Sequence, residues 1–206
     1  MDIYIKIVNH LLLRSADCKD ISLYHGKMGI VLTLYLYARE QGRTDWEELA
    51  WDLLQSVYAQ LEENLPYDIE NGLAGIGYAV TLLKRNRIFD ADLNNILWNI
   101  DQKIMSYDPR RFKDFSFRKG ALGICSYLQL RQKVETRLNS FSQSYFHELH
   151  ETLVKNGINL EKSIQYSLKD DLTMPSWNIQ EYLDHELGID SGISYYLLGH
   201  CHKALL

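Results

Sequence analysis

Apolar residues recur at helical spacing in three long stretches of the chain. Their positions follow the i, i+3, i+4, i+7 pattern of a helix with one apolar face. They are Trp46, Leu49, Ala50, Leu53, Leu54, Val57, Tyr58 and Leu61 in the first stretch, Leu93, Ile96, Leu97, Ile100 and Ile104 in the second, and Leu138, Phe141, Tyr145, Leu149 and Leu153 in the third. Thr44 with Glu47, and Asp90, are candidate N-terminal caps of the first two. Each stretch predicts an amphipathic helix that packs on one side only.

Three other segments are apolar on nearly every side. They cover residues 29–38, 76–83 and 124–130, and each follows a pair of glycines. A helix that is apolar all round is buried on several sides. The three prolines, Pro66, Pro109 and Pro175, stand in the connections that lead to glycine motifs, where they stop the preceding helix. The chain therefore predicts alternating buried and half-buried helices, an all-α fold without a convincing strand.

The glycine pairs form a repeat. The motifs lie near residues 24–38, 69–83, 117–130 and 185–198, and we align their second glycines as Gly29, Gly75, Gly123 and Gly192. The first two intervals are nearly equal and each suits one helical hairpin. The third is longer, with its extra residues at Ile158 to Trp177. Glycines this close together at a helix start permit close approach of a neighbouring backbone or of a ligand.

Charge and composition exclude several classes of protein. The 206 residues suit one domain, which we assign as residues 1–206. The net charge of -5 lacks the basic footprint of a nucleic-acid binder. No apolar run approaches the roughly 18 residues of a membrane span. Three widely spaced cysteines form no disulfide framework, so we expect reduced thiols and a cytoplasmic protein.

The motifs resemble the repeat signatures of lanthionine synthetase C-like (LanC-like) proteins. The resemblance rests on His25-Gly26-Lys27-Met28-Gly29-Ile30, Asn71-Gly72-Leu73-Ala74-Gly75-Ile76-Gly77, Gly120-Ala121-Leu122-Gly123-Ile124 and Gly188-Ile189-Asp190-Ser191-Gly192-Ile193, and it covers roughly residues 20 to 200. It implies an α/α toroid of inner and outer helices, here a partial ring of about four hairpins. It also implies peptides as partners.

The resemblance implies a zinc ion for those members of the family that are cyclases. Two cysteines and a histidine, standing just before glycines of the later repeats, hold the metal, which activates a peptide thiol for thioether formation. This sequence departs from that pattern, because the residue before the first glycine is His25, Asn71, Lys119 or Leu187. Cys125 lies inside a helix, and the pair Cys201-His202 stands far beyond its glycine. We therefore expect no zinc or other cofactor, with Cys201 and His202 as weak candidates for metal ligands.

Other polar residues around the motifs are candidates for binding or catalysis. The candidate binding residues are His25, Gly26, Asn71, Gly72, Lys119, Gly120 and Asp190, and the weaker candidate catalytic residues are Asp68, Glu70, Asp184 and His185. Paired carboxylates serve glycoside hydrolysis, but Asp68 and Glu70 also suit the positive end of a helix dipole. The loop with Arg110, Arg111, Lys113, Arg118 and Lys119 suits an acidic peptide or a phosphate, or is a solvated loop.

The function that we favour is a LanC-like protein that binds peptide, or assists a modifying enzyme, in peptide modification or export. We expect it to lack zinc-dependent cyclase activity. The alternatives are a zinc-dependent thioether cyclase and a carbohydrate-active enzyme with the toroid fold. Because the first and last helices carry apolar residues that need a neighbour, we also predict a homodimer, or docking to a partner, through these terminal helices.

Overall fold

The computed structural model describes residues 2–61, 65–135, 137–158 and 166–201, and within these ranges the regular structure is entirely helical. The helices are α1 (Ile3–Ser15), α2 (Lys27–Gln41), α3 (Thr44–Ala59), α4 (Leu73–Arg85), α5 (Leu93–Ile96), α6 (Trp98–Met105), α7 (Ala121–Val134), α8 (Gln143–Lys155), α9 (Leu168–Asp171) and α10 (Ser194–His200), with 3-10 helices at Pro109–Arg111 and Ile179–Asp184. The predicted all-α fold class is confirmed for the described residues.

The chain separates into two compact units. Unit 1 consists of Met1–Leu65 and Leu172–Leu206, and unit 2 of Pro66–Asp171. The first and fourth glycine motifs belong to unit 1, whereas the second and third belong to unit 2. The assignment of residues 1–206 to a single domain stays a prediction.

The predicted alternation of buried and amphipathic helices is confirmed. Every residue of α2 from Lys27 to Ala38 is buried, and so is every residue of α4 from Leu73 to Leu83. By contrast, α3, α6 and α8 bury one face each. Water is therefore excluded from all sides of these parts of α2 and α4, and each helix contributes a continuous apolar stretch to the core of its unit.

In unit 1, α2 packs against α3, α10 and α1. The first helix also contacts α10 and the 3-10 helix Ile179–Asp184, and the rings of Tyr4 and His200 meet edge to face at 4.2 Å. The homodimer was predicted because the terminal helices lacked a neighbour in the sequence pattern. Since α1 and α10 are neighbours within unit 1, that argument is weakened, and the dimer stays a prediction.

In unit 2, α4 and α7 form the central pair of helices. The helix α6 packs against α4, and α8 packs against α7 and the 3-10 helix Pro109–Arg111. Gly77 of α4 allows the close approach of α7, because a Cβ at this position would lie 2.6 Å from the ring of Tyr127. Gly77, the last glycine of the second motif, is therefore a packing residue.

The predicted caps are wrong by one or two residues. Thr44 is the first residue of α3, whose N-cap is Arg43 and makes no side-chain cap. The cap of α5 is Asp92, which accepts a hydrogen bond from the backbone of Asn94, and not Asp90. The second stripe is also divided at Leu97 into α5 and α6, and the third starts only at Gln143, after the cap Ser142.

Candidate functional site

The four glycine loops share one backbone geometry. In each, the N–H that follows a glycine donates to the carbonyl group six residues before that glycine. The donors and acceptors are Lys27 and Asp20 (2.8 Å), Leu73 and Pro66 (2.8 Å), Ala121 and Asp114 (3.0 Å), and Ile193 and Glu186 (2.8 Å). The equivalent glycines are therefore Gly26, Gly72, Gly120 and Gly192, which we call the first glycines.

This geometry corrects the alignment of the fourth motif. Gly192 had been aligned with the second glycines of the other motifs, but it is equivalent to their first. The residue before the first glycine is therefore Ser191, and not Leu187. The misalignment arises because Gly188 lies shortly before Gly192 and can be mistaken for the first glycine of the motif. Gly188 has a different role, since a Cβ there would clash with the backbone of Tyr24 and His25.

A side-chain oxygen braces each of the first three loops. The side chains of Ser22, Asp68 and Ser116 accept the backbone N–H three residues further on, which belongs to His25 (3.4 Å), Asn71 (2.7 Å) and Lys119 (3.2 Å) respectively. Asp68, a predicted catalytic candidate, thus occupies the place of a serine in the two other loops. Burial raises the pKa of Asp68, and the nearby charge of Glu70 raises it further, against the hydrogen bond from Asn71.

The loops pair within each unit through one bifurcated carbonyl group. In unit 2, the carbonyl of Arg118 accepts the N–H groups of Ile69 and Glu70, both at 3.1 Å. In unit 1, the carbonyl of Tyr24 accepts those of Ile189 (2.9 Å) and Asp190 (3.3 Å). Each unit therefore presents two loops side by side, with an acidic residue, Glu70 or Asp190, at the same place.

Unit 2 gathers four charged side chains at its paired loops. The carboxylate of Glu70 lies 3.3 Å from Lys119 Nζ and 3.6 Å from Arg118 Nη1. Arg118 also donates from Nε to Asp171 Oδ2 at 2.7 Å. Glu70 is buried, whereas the side chain of Lys119 is 60% exposed. The cluster therefore offers one accessible ammonium group above ion pairs whose carboxylates are largely buried.

In unit 1, the predicted residues are arranged differently. Asp190 is buried, and its carboxylate accepts the backbone N–H of Thr173 at 2.7 Å, so it holds the segment that precedes the motif. His25 is half-buried next to Tyr24. His185 stacks on Trp177 with ring centres 3.9 Å apart, and Asp184 is exposed at the end of its 3-10 helix.

A family model matches residues 17–182, which include the first three motifs and most of the connection to the fourth. The model describes lanthionine synthetase C-like proteins. The chain belongs to the lanthionine synthetase C-like family. No curated protein matches it. Membership supports a lanthionine synthetase-like protein in general terms and agrees with the α/α fold expected from the motifs.

The two cysteines considered as zinc ligands, Cys125 and Cys201, lie on different helices of this LanC-like chain. Within the described ranges, no three histidine, cysteine or acidic side chains gather as metal ligands. Cys125 lies inside α7 in unit 2, and burial raises its pKa to about 12. Cys201 caps the end of α10 in unit 1 and likewise has a pKa of about 12. His202 lies outside the described residues.

Two functional features were missed in the sequence. Asp171 and Tyr166 belong to the long third interval, and nothing in the pattern places them on the loops of unit 2. The brace at Ser22, Asp68 and Ser116 had a visible signal, because each stands four residues before a first glycine.

Among the described residues, no helix is long and apolar enough to cross a membrane.

Proposed function

We propose that this LanC-like protein binds a peptide at its glycine loops and assists its modification or export, without performing zinc-dependent cyclisation. The observation that carries the proposal is the set of residues just before the first glycines. They are Tyr24-His25, Glu70-Asn71, Arg118-Lys119 and Asp190-Ser191, and none of them is a cysteine. The four loops share one backbone geometry, and none of them carries a cysteine at either of the two positions before its first glycine.

The polar groups of these loops suit a peptide backbone and its charged side chains. Lys119 is exposed, and Asn71 and His25 are half-buried, so each has surface available for a ligand. In unit 2, Asp68 and Ser116 accept the backbone N–H groups of Asn71 and Lys119, which fixes the backbone from which these two side chains extend. Fixed donors lower the entropy that a ligand loses on binding. A cytoplasmic location belongs to the same proposal, and the three free cysteines support it.

The test is a titration with a fluorescent peptide that carries one aspartate, one cysteine and one dehydroalanine. Binding is read from the anisotropy, and thioether formation from the loss of maleimide-reactive thiol. We expect saturable binding with the thiol retained, with or without added zinc. Lys119→Glu should weaken the binding about tenfold, because it replaces an attractive charge with a repulsive one next to Glu70.

The control is Lys155→Glu, which makes the same charge change on an exposed part of α8. It should bind the peptide like the unmodified chain. Zinc-dependent consumption of the thiol that disappears in Cys201→Ala would overturn the proposal in favour of the cyclase. If both lysine variants bound the peptide equally well, the glycine loops would not be the binding surface.

A further inference from the structure

A short stretch of the chain lies on the paired loops of unit 2. We call this stretch, Tyr166–Asp171, the docking segment. It belongs to the long interval between the third and fourth motifs, and the shorter intervals between the other motifs have no residues equivalent to it. Its central Leu168 is 1% exposed, and the ring of Tyr166 packs edge to face on Phe117 at 5.2 Å. The segment therefore covers the residues that immediately precede Lys119 in the third loop.

Charge complementarity holds the end of the docking segment. Arg118 donates from Nε to Asp171 Oδ2 at 2.7 Å and from Nη2 to the Asp171 carbonyl at 2.8 Å. The hydroxyl of Tyr166 donates to the other carboxylate oxygen of Asp171 at 2.9 Å. The side chain of Asp171 is only 10% exposed. Charge-assisted bonds in a largely desolvated place are among the strongest polar contacts in proteins.

The conformation of the docking segment depends on these contacts. Its helix α9, Leu168–Asp171, is a single turn, and a helix this short is not stable in isolation. Within the segment, the backbone and hydroxyl of Ser167 both donate to Asp170 Oδ2. A segment whose single helical turn is held by apolar contacts and by charge-assisted bonds to a loop resembles a bound peptide more than an independent helix.

We propose that the docking segment is an internal ligand of the loop surface of unit 2, and that an acidic peptide of the same pattern replaces it there. The pattern is an aromatic residue, an apolar residue two positions later, and acidic residues at the fifth and sixth positions. The aromatic residue packs on Phe117, the apolar residue fills the place of Leu168, and the last carboxylate binds Arg118. This inference rests on the proposed function, since it names the kind of peptide that the loops of unit 2 accept.

The test uses the labelled hexapeptide Tyr-Ser-Leu-Lys-Asp-Asp, acetylated and amidated, in an anisotropy titration with the full chain. In Asp171→Asn, the docking segment loses its charge-assisted bond to Arg118, so it competes less well with the added hexapeptide for the loop surface. We expect the peptide to bind this variant about tenfold more tightly than the unmodified chain. Glu151→Gln, which removes one exposed carboxylate on α8, should leave the affinity unchanged.

A second set of titrations removes a charge either from the loop surface or from the peptide. Adding Arg118→Gln to Asp171→Asn should reduce the affinity about tenfold again, and so should a peptide that ends in asparagine. Circular dichroism of each variant verifies that its helix content is retained. Equal affinity of the hexapeptide for the unmodified chain and Asp171→Asn, or for peptides ending in aspartate and asparagine, would overturn the inference.

The two proposals fail separately. If the hexapeptide behaves as expected but the peptide with cysteine and dehydroalanine does not bind, the docking segment is an internal ligand and the proposed function is wrong. If the latter peptide binds but the hexapeptide has the same affinity for the unmodified chain and for Asp171→Asn, the proposed function stands and the docking segment is part of the permanent core.

Discussion

At the scale of single residues, the first glycines are required because a backbone carbonyl group fills the space of their missing side chain. A Cβ at Gly72 would lie closer than 3.0 Å to the carbonyl group of Pro66, which accepts a hydrogen bond from Leu73. The loop cannot move away without breaking that bond. By contrast, no atom lies within 4 Å of the place where a Cβ would stand at Gly199, inside α10.

Gly72→Ala should therefore lower the free energy of unfolding by about 3 kcal/mol, through overpacking against backbone. Gly199→Ala should leave it unchanged or raise it by up to about 1 kcal/mol, because alanine favours a helix over glycine. Urea denaturation followed by circular dichroism measures both. If Gly72→Ala were as stable as Gly199→Ala, the loop geometry described above would be wrong.

Asp68 offers a second residue-scale prediction, because serine performs the same bracing role in two other loops. Burial raises the pKa of Asp68 in the folded chain above its pKa in the unfolded chain. Ionisation of Asp68 therefore lowers the free energy of unfolding as the pH rises from the unfolded pKa through the folded pKa. Asp68→Ser keeps an oxygen for the N–H of Asn71 and removes the charge. We expect Asp68→Ser to gain stability relative to the unmodified chain at pH 7, with the gain disappearing below about pH 3.8, where both states are protonated.

Thermal unfolding at a series of pH values checks this expectation. The control, Asp68→Ala, removes the brace together with the charge, and it should be about 1 kcal/mol less stable than Asp68→Ser at every pH. A gain of Asp68→Ser that grows towards acidic pH would contradict the sign of the pKa shift.

At the scale of elements, a buried ion pair joins α6 to α7. Arg131 donates to Asp101 Oδ2 at 3.1 Å, and both side chains are completely buried. The hydroxyls of Tyr127 and Ser140 donate to the same carboxylate, so the network also holds the chain just before α8. Burial raises the pKa of Asp101, and the hydrogen bonds and the charge of Arg131 oppose that effect. The network specifies how the helices of unit 2 meet.

Removing one partner of this pair leaves a buried charge. Arg131→Met should therefore lower the free energy of unfolding by about 3–5 kcal/mol. The double variant with Asp101→Asn should recover part of that loss, since the amide oxygen still accepts from the Tyr127 hydroxyl and the amide NH2 donates to the Ser140 hydroxyl, which rotates to accept. A double-mutant cycle in urea measures the coupling. The exposed pair of Lys155 and Glu151 is the control, and Lys155→Met should change stability by less than about 1 kcal/mol.

Additive losses in the cycle of Asp101 and Arg131 would show that the pair contributes no more than its separate side chains. The pH adds an independent check. In Arg131→Met, protonation of Asp101 removes the unpaired charge, so the destabilisation should diminish as the solution is acidified.

At the scale of the whole molecule, the stability should be concentrated in the buried helices α2, α4 and α7. They are enclosed by other elements of their own units, whereas α3 and α8 expose one face to water. Opening of a segment costs least where few apolar groups are buried. We expect the slowest amide hydrogen exchange in α2 and α4 and fast exchange in the four-residue helix α5, as measured by mass spectrometry. Slower exchange in α8 than in α4 would contradict this order.

Much of this architecture follows from local patterns in the sequence. The burial of α2 and α4 and the one-sided packing of α3 were predicted from apolar periodicity, because a side chain's direction along a helix depends only on its position in the turn. The repeat of glycines predicted the family and the location of the loops. The caps were less accurate, because the exact first residue of a helix is not specified by local pattern: α3 begins after Arg43, which makes no side-chain cap, and α5 begins after Asp92.

What the tertiary structure alone decided concerns residues far apart in the chain. The sequence by itself determined the helices, their buried faces and the three similar loops, because these depend on neighbours within a few residues. It misaligned the fourth motif, since two glycines at Gly188 and Gly192 satisfy the local pattern, and only the hydrogen bond from Ile193 to Glu186 distinguishes them. It also could not bring Asp171 to Arg118, separated by 53 residues, because such a contact depends on how packed helices place their connecting segments and has no periodic signal.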